Sequence, residues 1–150
     1  MNKFFTFPLL GLTLVGCGVT PNDGTFEVEN ATAVDDGCDF RLEQSEDAFV
    51  DIKTDASGHF TMDIGEDASL NCEMKQKKYT CDTFNFEMDA LGDGSAMLTV
   101  GYTANGAFSN PDEGSISLFM SGACDGENCD QMTGVPCTSE FAGTLKRSEN

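Results

Sequence analysis

The chain reads as an all-β protein, either a single small antiparallel β-barrel of about eight strands or, alternatively, a two-sheet β-sandwich. Three observations predict this. From Thr25 onward apolar residues recur with a period of two, the signature of half-buried strands. Clusters of Gly, Asp, Asn and Pro punctuate these runs at short intervals. No segment sustains the period of an amphipathic helix.

The alternation can be followed in order. Gly24-Thr25-Phe26 opens the first strand, and Cys38, Phe40 and Leu42 alternate with Asp39, Arg41 and Glu43. Phe60, Met62 and Ile64 share a face, as do Leu70, Cys72 and Met74, then Phe84, Phe86 and Met88, then Ile116, Leu118 and Met120. Phe141 to Arg147 closes the last strand. Turns are expected at Asp35-Asp36-Gly37, Asp55-Ala56-Ser57-Gly58, Gly65-Glu66-Asp67, Gly92-Asp93-Gly94 and Asn110-Pro111-Asp112-Glu113-Gly114. Asn105-Gly106 reads as a type I′ hairpin turn, because both residues tolerate positive φ, with the chain returning through Phe108. A hairpin tip at Gln76-Lys77 would set Cys72 opposite Cys81 and Met74 opposite Tyr79 on one face, a register that permits a cross-strand disulfide.

Met1-Asn2-Lys3 is a positively charged start, and the apolar run from Phe4 to Val15 is too short to span a bilayer, which takes about 20 residues. The run ends in Leu14-Val15-Gly16-Cys17, which resembles the lipobox of bacterial lipoproteins. The resemblance implies that residues 1–16 are a signal peptide and that Cys17 carries a diacylglycerol thioether and an N-acyl chain such as palmitate. It further implies that the membrane is a partner through this lipid anchor. Gly18, rather than Asp, follows the cysteine, which points within that family to the outer membrane of the cell envelope. Residues 17–24 then form the lipidated cysteine and a short polar tether, reaching about 20 Å when extended. Residues 25–147 form the all-β disulfide-bonded domain, and residues 148–150 a polar tail.

The cysteine count agrees with export. Setting Cys17 aside leaves six of the seven cysteines, an even number that reads as three disulfides in an oxidising compartment. Cys72–Cys81 is the sharpest pairing. Cys124 and Cys129 could close a tight loop, leaving Cys38 and Cys137 to join the first and last parts of the domain. The spacings match no zinc ribbon or finger, and no CxxC redox pair is present.

The chain is strongly acidic, with 26 Asp and Glu against eight Lys and Arg and a formal charge of −18. Such a field argues against nucleic acid as a partner and predicts repulsion from anionic lipid. Catalytic chemistry finds little support. The single His59 falls in the polar phase of its strand, and nucleophile, metalloprotease, P-loop and dinucleotide motifs are absent. The carboxylate pairs Asp35/Asp36, Glu46/Asp47, Glu66/Asp67 and Asp112/Glu113 read as turn or surface acids. No catalytic residue is assigned, and no cofactor is expected beyond the acyl chains on Cys17. Calcium is the one metal with candidate ligands, Asp125, Glu127 and Asp130 in the Cys124–Cys129 region.

The two chain ends resemble lipocalins, whose first strand carries Gly-x-Trp and whose final strand is followed by a basic residue packing over that Trp. Here Phe26 takes the place of the Trp, and Arg147 or Lys146 that of the basic partner. Two functions follow. The first is a non-enzymatic envelope protein that binds another envelope component or plays a structural role. The alternative is a lipocalin-like carrier holding a small apolar ligand in a Phe- and Met-lined interior.

Overall fold

The computed structural model describes residues 18–38, 48–55, 57–65 and 68–148. Nine strands form one antiparallel sheet: β1 (Gly24–Asp36), β2 (Phe49–Thr54), β3 (His59–Asp63), β4 (Ser69–Lys75), β5 (Lys78–Cys81), β6 (Phe84–Asp89), β7 (Met97–Asn110), β8 (Glu113–Asp125) and β9 (Cys137–Arg147). The chain runs up and down as a meander. β9 then returns to pair with β1, with Val28 opposite Leu145, and β5 pairs with β7, with Tyr79 opposite Gly106. The hydrogen bonds therefore close into a ring of eight strands, with β6 as the ninth. Ring closure removes most of the exposed edges that an open sheet would present.

β5 and β6 lie along the same edge of β7. Lys78 to Thr80 pair with Ala107 to Asn105, and Phe84 to Asp89 pair with Tyr102 to Met97. They are two halves of one line of strand, interrupted at Asp82-Thr83. The hairpin at Gln76-Lys77 has the register expected from sequence, Cys72 opposite Cys81 and Met74 opposite Tyr79. Gln76 makes it possible by adopting φ +63°, a left-handed conformation.

The expected turn at Asn105-Gly106 is overturned. Both residues lie inside β7, paired with Ser117 and Ile116 of β8 on one side and with Thr80 and Tyr79 of β5 on the other. Gly106 is there because a side chain would not fit: a Cβ would fall on the Ser115 carbonyl oxygen and within 2.7 Å of the Tyr79 hydroxyl. The chain reverses instead at Pro111-Asp112, between β7 and β8. The alternation at Phe40 and Leu42 lies outside the described residues.

One end of the ring is solidly packed. Phe26, Phe60, Tyr79 and Phe108 meet with ring centroids 5.4–6.1 Å apart, three of the four pairs edge to face, as aromatic quadrupoles prefer. Ile52, Met62, Leu70 and Leu145 complete this core. The Tyr79 hydroxyl, carried into the core by its ring, donates to the Ser115 carbonyl at 3.0 Å, and burial raises its pKa.

Three disulfides join Cys38 to Cys137, Cys72 to Cys81 and Cys124 to Cys129. The first ties the end of β1 to the start of β9. Beside it, Ser139 accepts from the Cys38 N–H and donates to Asp36, which satisfies its buried hydroxyl.

Candidate functional site

Strand length decides where space is left inside the ring. β1, β7 and β8 have 13, 14 and 13 residues, whereas β2, β3, β4 and β5 have 6, 5, 7 and 4. All eight are level at the end carrying the β2–β3, β4–β5 and β7–β8 turns, here named the closed end. At the opposite, open end the long strands run past the short ones, so their inward side chains have no facing wall among the described residues. Residues 39–47, which join β1 to β2 at this rim, lie outside the described residues.

A cavity of about 380 Å³ occupies the open end. Its lining includes Val28 of β1, Val50 of β2, Ile64 after β3, Leu118 and Met120 of β8, and Phe141 of β9. Alternation aims these side chains inward from strands far apart in sequence. Tyr102 of β7 forms one wall and also borders an adjoining cavity of about 230 Å³, together with Ile64, Ala68, Phe84 and Phe86. Phe86 and Met88 extend the apolar wall along β6 and stay 45% and 44% exposed. The first cavity is of the size that small ligands occupy, about 300–1,000 Å³.

The charge around this end has one sign. Among the described residues Asp35, Glu87, Asp89, Asp125 and Glu140 lie on its strands, and no Lys or Arg lies beyond Lys53 toward the rim. An anionic headgroup entering here would meet this field, whereas a neutral or cationic one would not. A third cavity, of about 330 Å³, lies on the other face of the same strands. Thr83, Thr103, Ser121 and Thr138 line it together with Phe119, Asp35 and Glu140, so hydroxyls and two carboxylates are mixed with hydrocarbon there.

Comparison with known protein families, with curated proteins and with solved structures finds no match.

His59 is exposed at the start of β3, with its backbone N–H donating to Asp55. Asp112 accepts from Asn22 and pairs with Arg147 at 3.4 Å, and Glu113 accepts from Asn110, so this pair serves a turn. Asp35 and Asp36 are neighbours on β1 and point to opposite faces, Asp36 toward Ser139. Glu46, Asp47, Glu66 and Asp67 lie outside the described residues. The proposed calcium ligands do not converge: Asp125, Glu127 and Asp130 are all exposed, and no group of three His, Cys, Asp or Glu placed to hold a metal occurs among the described residues. Arg147 stands opposite Phe26 in register, with its guanidinium over Gly24.

Of the cavity residues, Ile64, Leu118 and Met120 stand in the alternating pattern of the sequence, whereas Val28, Val50 and Tyr102 are not singled out there, nor is the gathering of them all. Leu118 and Met120 read as one inward face because their strand alternates cleanly with Ser115, Ser117 and Ser121. The missed signal is the uninterrupted length of the run from Met97 to Asn110, hidden by the mistaken turn within it.

Proposed function

We propose that the protein is a non-enzymatic binding protein of the bacterial envelope, anchored by lipid at Cys17, whose open end takes up a small apolar ligand that is neutral or positively charged. The observation that carries this reading is the apolar cavity at the open end, set in a rim of carboxylates. Its walls bury hydrocarbon at roughly 25 cal/mol per Å², and the surrounding field selects against an anion. Tyr102 adds an amphipathic side chain to the wall. The lipobox supports the anchor, and the three disulfides support an oxidising compartment, since six of the seven cysteines are paired and Cys17 is the seventh.

The test uses the neutral fluorescent probe N-phenyl-1-naphthylamine with the purified full chain. A saturable rise in fluorescence with one probe per chain is expected, reversed by dodecylamine at about tenfold lower concentration than by dodecanoate. Ala48, just before β2, also lines the cavity, so Ala48→Trp places an indole at its wall and should abolish binding while the three disulfides remain, as read by non-reducing mass analysis. Absence of probe binding to the wild type would remove the reading. Binding that appears only in a Phe40→Ser/Leu42→Ser variant would also remove it, because the chain itself would then be the occupant.

A second reading draws on β6. Among the described residues its outer edge pairs with no strand, and exposed Phe86 and Met88 stand beside it, the arrangement used when a partner adds a strand to a sheet. Loss of a partner on Phe86→Ser without loss of the fluorescent probe would favour that reading over the first.

A further inference from the structure

The segment between the anchor cysteine and β1 is bound to the ring. The Val19 N–H donates to the Gln76 carbonyl at 3.0 Å, at the β4–β5 turn. The Asn22 N–H donates to the Pro111 carbonyl at 2.9 Å, at the β7–β8 turn, and its side-chain amide donates to Asp112. Asp23 accepts from both the hydroxyl and the backbone N–H of Thr54, at the end of β2, and these bonds lower its pKa. Pro21 is buried and Val19 packs against the core. Residues 18–23 thus cross the closed end from one turn to the next, and extending them as a free tether would break every one of these contacts. Gly18, the residue after the anchor cysteine in sequence, rests beside Gln76 of that turn.

The basic residues gather at the same end. Lys75, Lys77 and Lys78 flank the β4–β5 turn, Lys53 is in the last turn-ward residues of β2, and Lys146 and Arg147 end β9. These are all the Lys and Arg among the described residues. Four of them pair with carboxylates: Lys53 with Asp63, Lys75 with Glu73, Lys146 with Glu29 and Arg147 with Asp112. Lys77 and Lys78 are exposed and make no ion pair among the described residues. A chain with a large negative charge therefore carries its described positive charge on one end, the end at which the acyl chains would leave.

We infer that the closed end faces the membrane, with Lys75, Lys77 and Lys78 against lipid phosphates, and that the open cavity points away from the bilayer. The inference rests on the lipid anchor proposed above and adds an orientation to it. Asp23, Asp55, Glu73, Asp112 and Glu113 share this end with the six cations and bring it close to neutral, so the expected repulsion from anionic lipid is weakest here. A lysine held near an anionic bilayer surface favours contact by about fivefold, and the effect decays within a Debye length, so the end nearest the anchor dominates. An outward cavity would meet ligands or partners from the aqueous side.

The chain contains no Trp, which permits single reporters. Full-length Thr20→Trp and Leu91→Trp variants, one at exposed Thr20 of the closed end and one at Leu91 beyond β6, are extracted from membranes and weighed intact. They are then reconstituted in phosphatidylethanolamine vesicles containing phosphatidylglycerol and brominated phosphatidylcholine. Acylated protein should show at least twofold stronger bromine quenching at Thr20→Trp than at Leu91→Trp, and Lys77→Gln/Lys78→Gln should narrow that gap when added to the first variant. Equal quenching, or stronger quenching at Leu91→Trp, in acylated protein overturns the orientation and leaves the anchor standing. A mass without acyl groups overturns the anchor itself, and the orientation with it.

Discussion

Removing the Cys38–Cys137 disulfide should destabilise the domain far more than removing Cys124–Cys129. The four cysteines are all half-buried, so replacing either pair with Ser loses similar packing. The sequence separations differ greatly, 99 residues against 5. In the chain-entropy treatment a cross-link stabilises in proportion to the logarithm of the loop it closes, giving about 4.7 kcal/mol for a loop of this long class and about 2 kcal/mol for the short one. The difference, about 2.7 kcal/mol, is large beside the roughly 5–15 kcal/mol total stability of a domain. The two short disulfides nested inside the long loop shorten it only slightly, so the logarithm hardly changes. The assay is urea unfolding of Cys38→Ser/Cys137→Ser and of Cys124→Ser/Cys129→Ser, each confirmed by non-reducing mass to retain the other two bridges. Equal losses, within about 0.5 kcal/mol, would refute the loop argument and indicate that local strain or residual unfolded-state structure sets the contribution.

Gly106→Ala should cost about 3 kcal/mol or prevent folding, because the added methyl meets the Ser115 carbonyl and the Tyr79 hydroxyl in a strand paired on both sides; the urea midpoint reads it. Phe108→Ala removes the ring that touches Phe26, Phe60 and Tyr79, and should cost about 3–5 kcal/mol by the same measurement. Tyr79→Phe should cost about 1–2 kcal/mol, since only the bond to Ser115 is lost while the ring packing stays. Acid should weaken the fold through Asp23, Asp55, Asp63 and Asp93, whose carboxyls are held below the ordinary 3.8 by hydrogen bonds from Thr54, Ser57, Ser69 and Ser95 respectively. Their folded pKa values lie below the unfolded ones, so this contribution is present above the unfolded value and fades as pH falls through the folded values. A urea midpoint that did not fall between about pH 5 and 3, on the order of the span where such carboxylates titrate, would contradict that sign.

Much of the fold was legible because strand formation writes itself locally. Phe60, Met62 and Ile64 alternate with polar neighbours, and the structure turns Phe60 and Met62 into the core. The register of Cys72 with Cys81 followed from counting outward from Gln76-Lys77. Phe84, Phe86 and Met88 also share a face as read, yet Phe86 and Met88 remain exposed, since sharing a face says nothing about whether another element covers it. Asn105-Gly106 failed for a related reason. Its preference for a turn is a local property, while its place in β7 is imposed by two flanking strands and by the ring of Tyr79.

Residue order along the chain was enough for the all-β class, most of the turns, the shared faces of single strands, the even set of six paired cysteines and the Cys72–Cys81 register, since each depends on near neighbours or on simple parity. Closure of the strands into a ring, the overrun of short strands by long ones that leaves a cavity, and the path of residues 18–23 across the closed end arise from the tertiary fold. It also brings lysines scattered from position 53 to 146 onto one end. These are consequences of register between strands distant in sequence, and hydrophobic periodicity along a single strand carries no information about where its partner begins or stops.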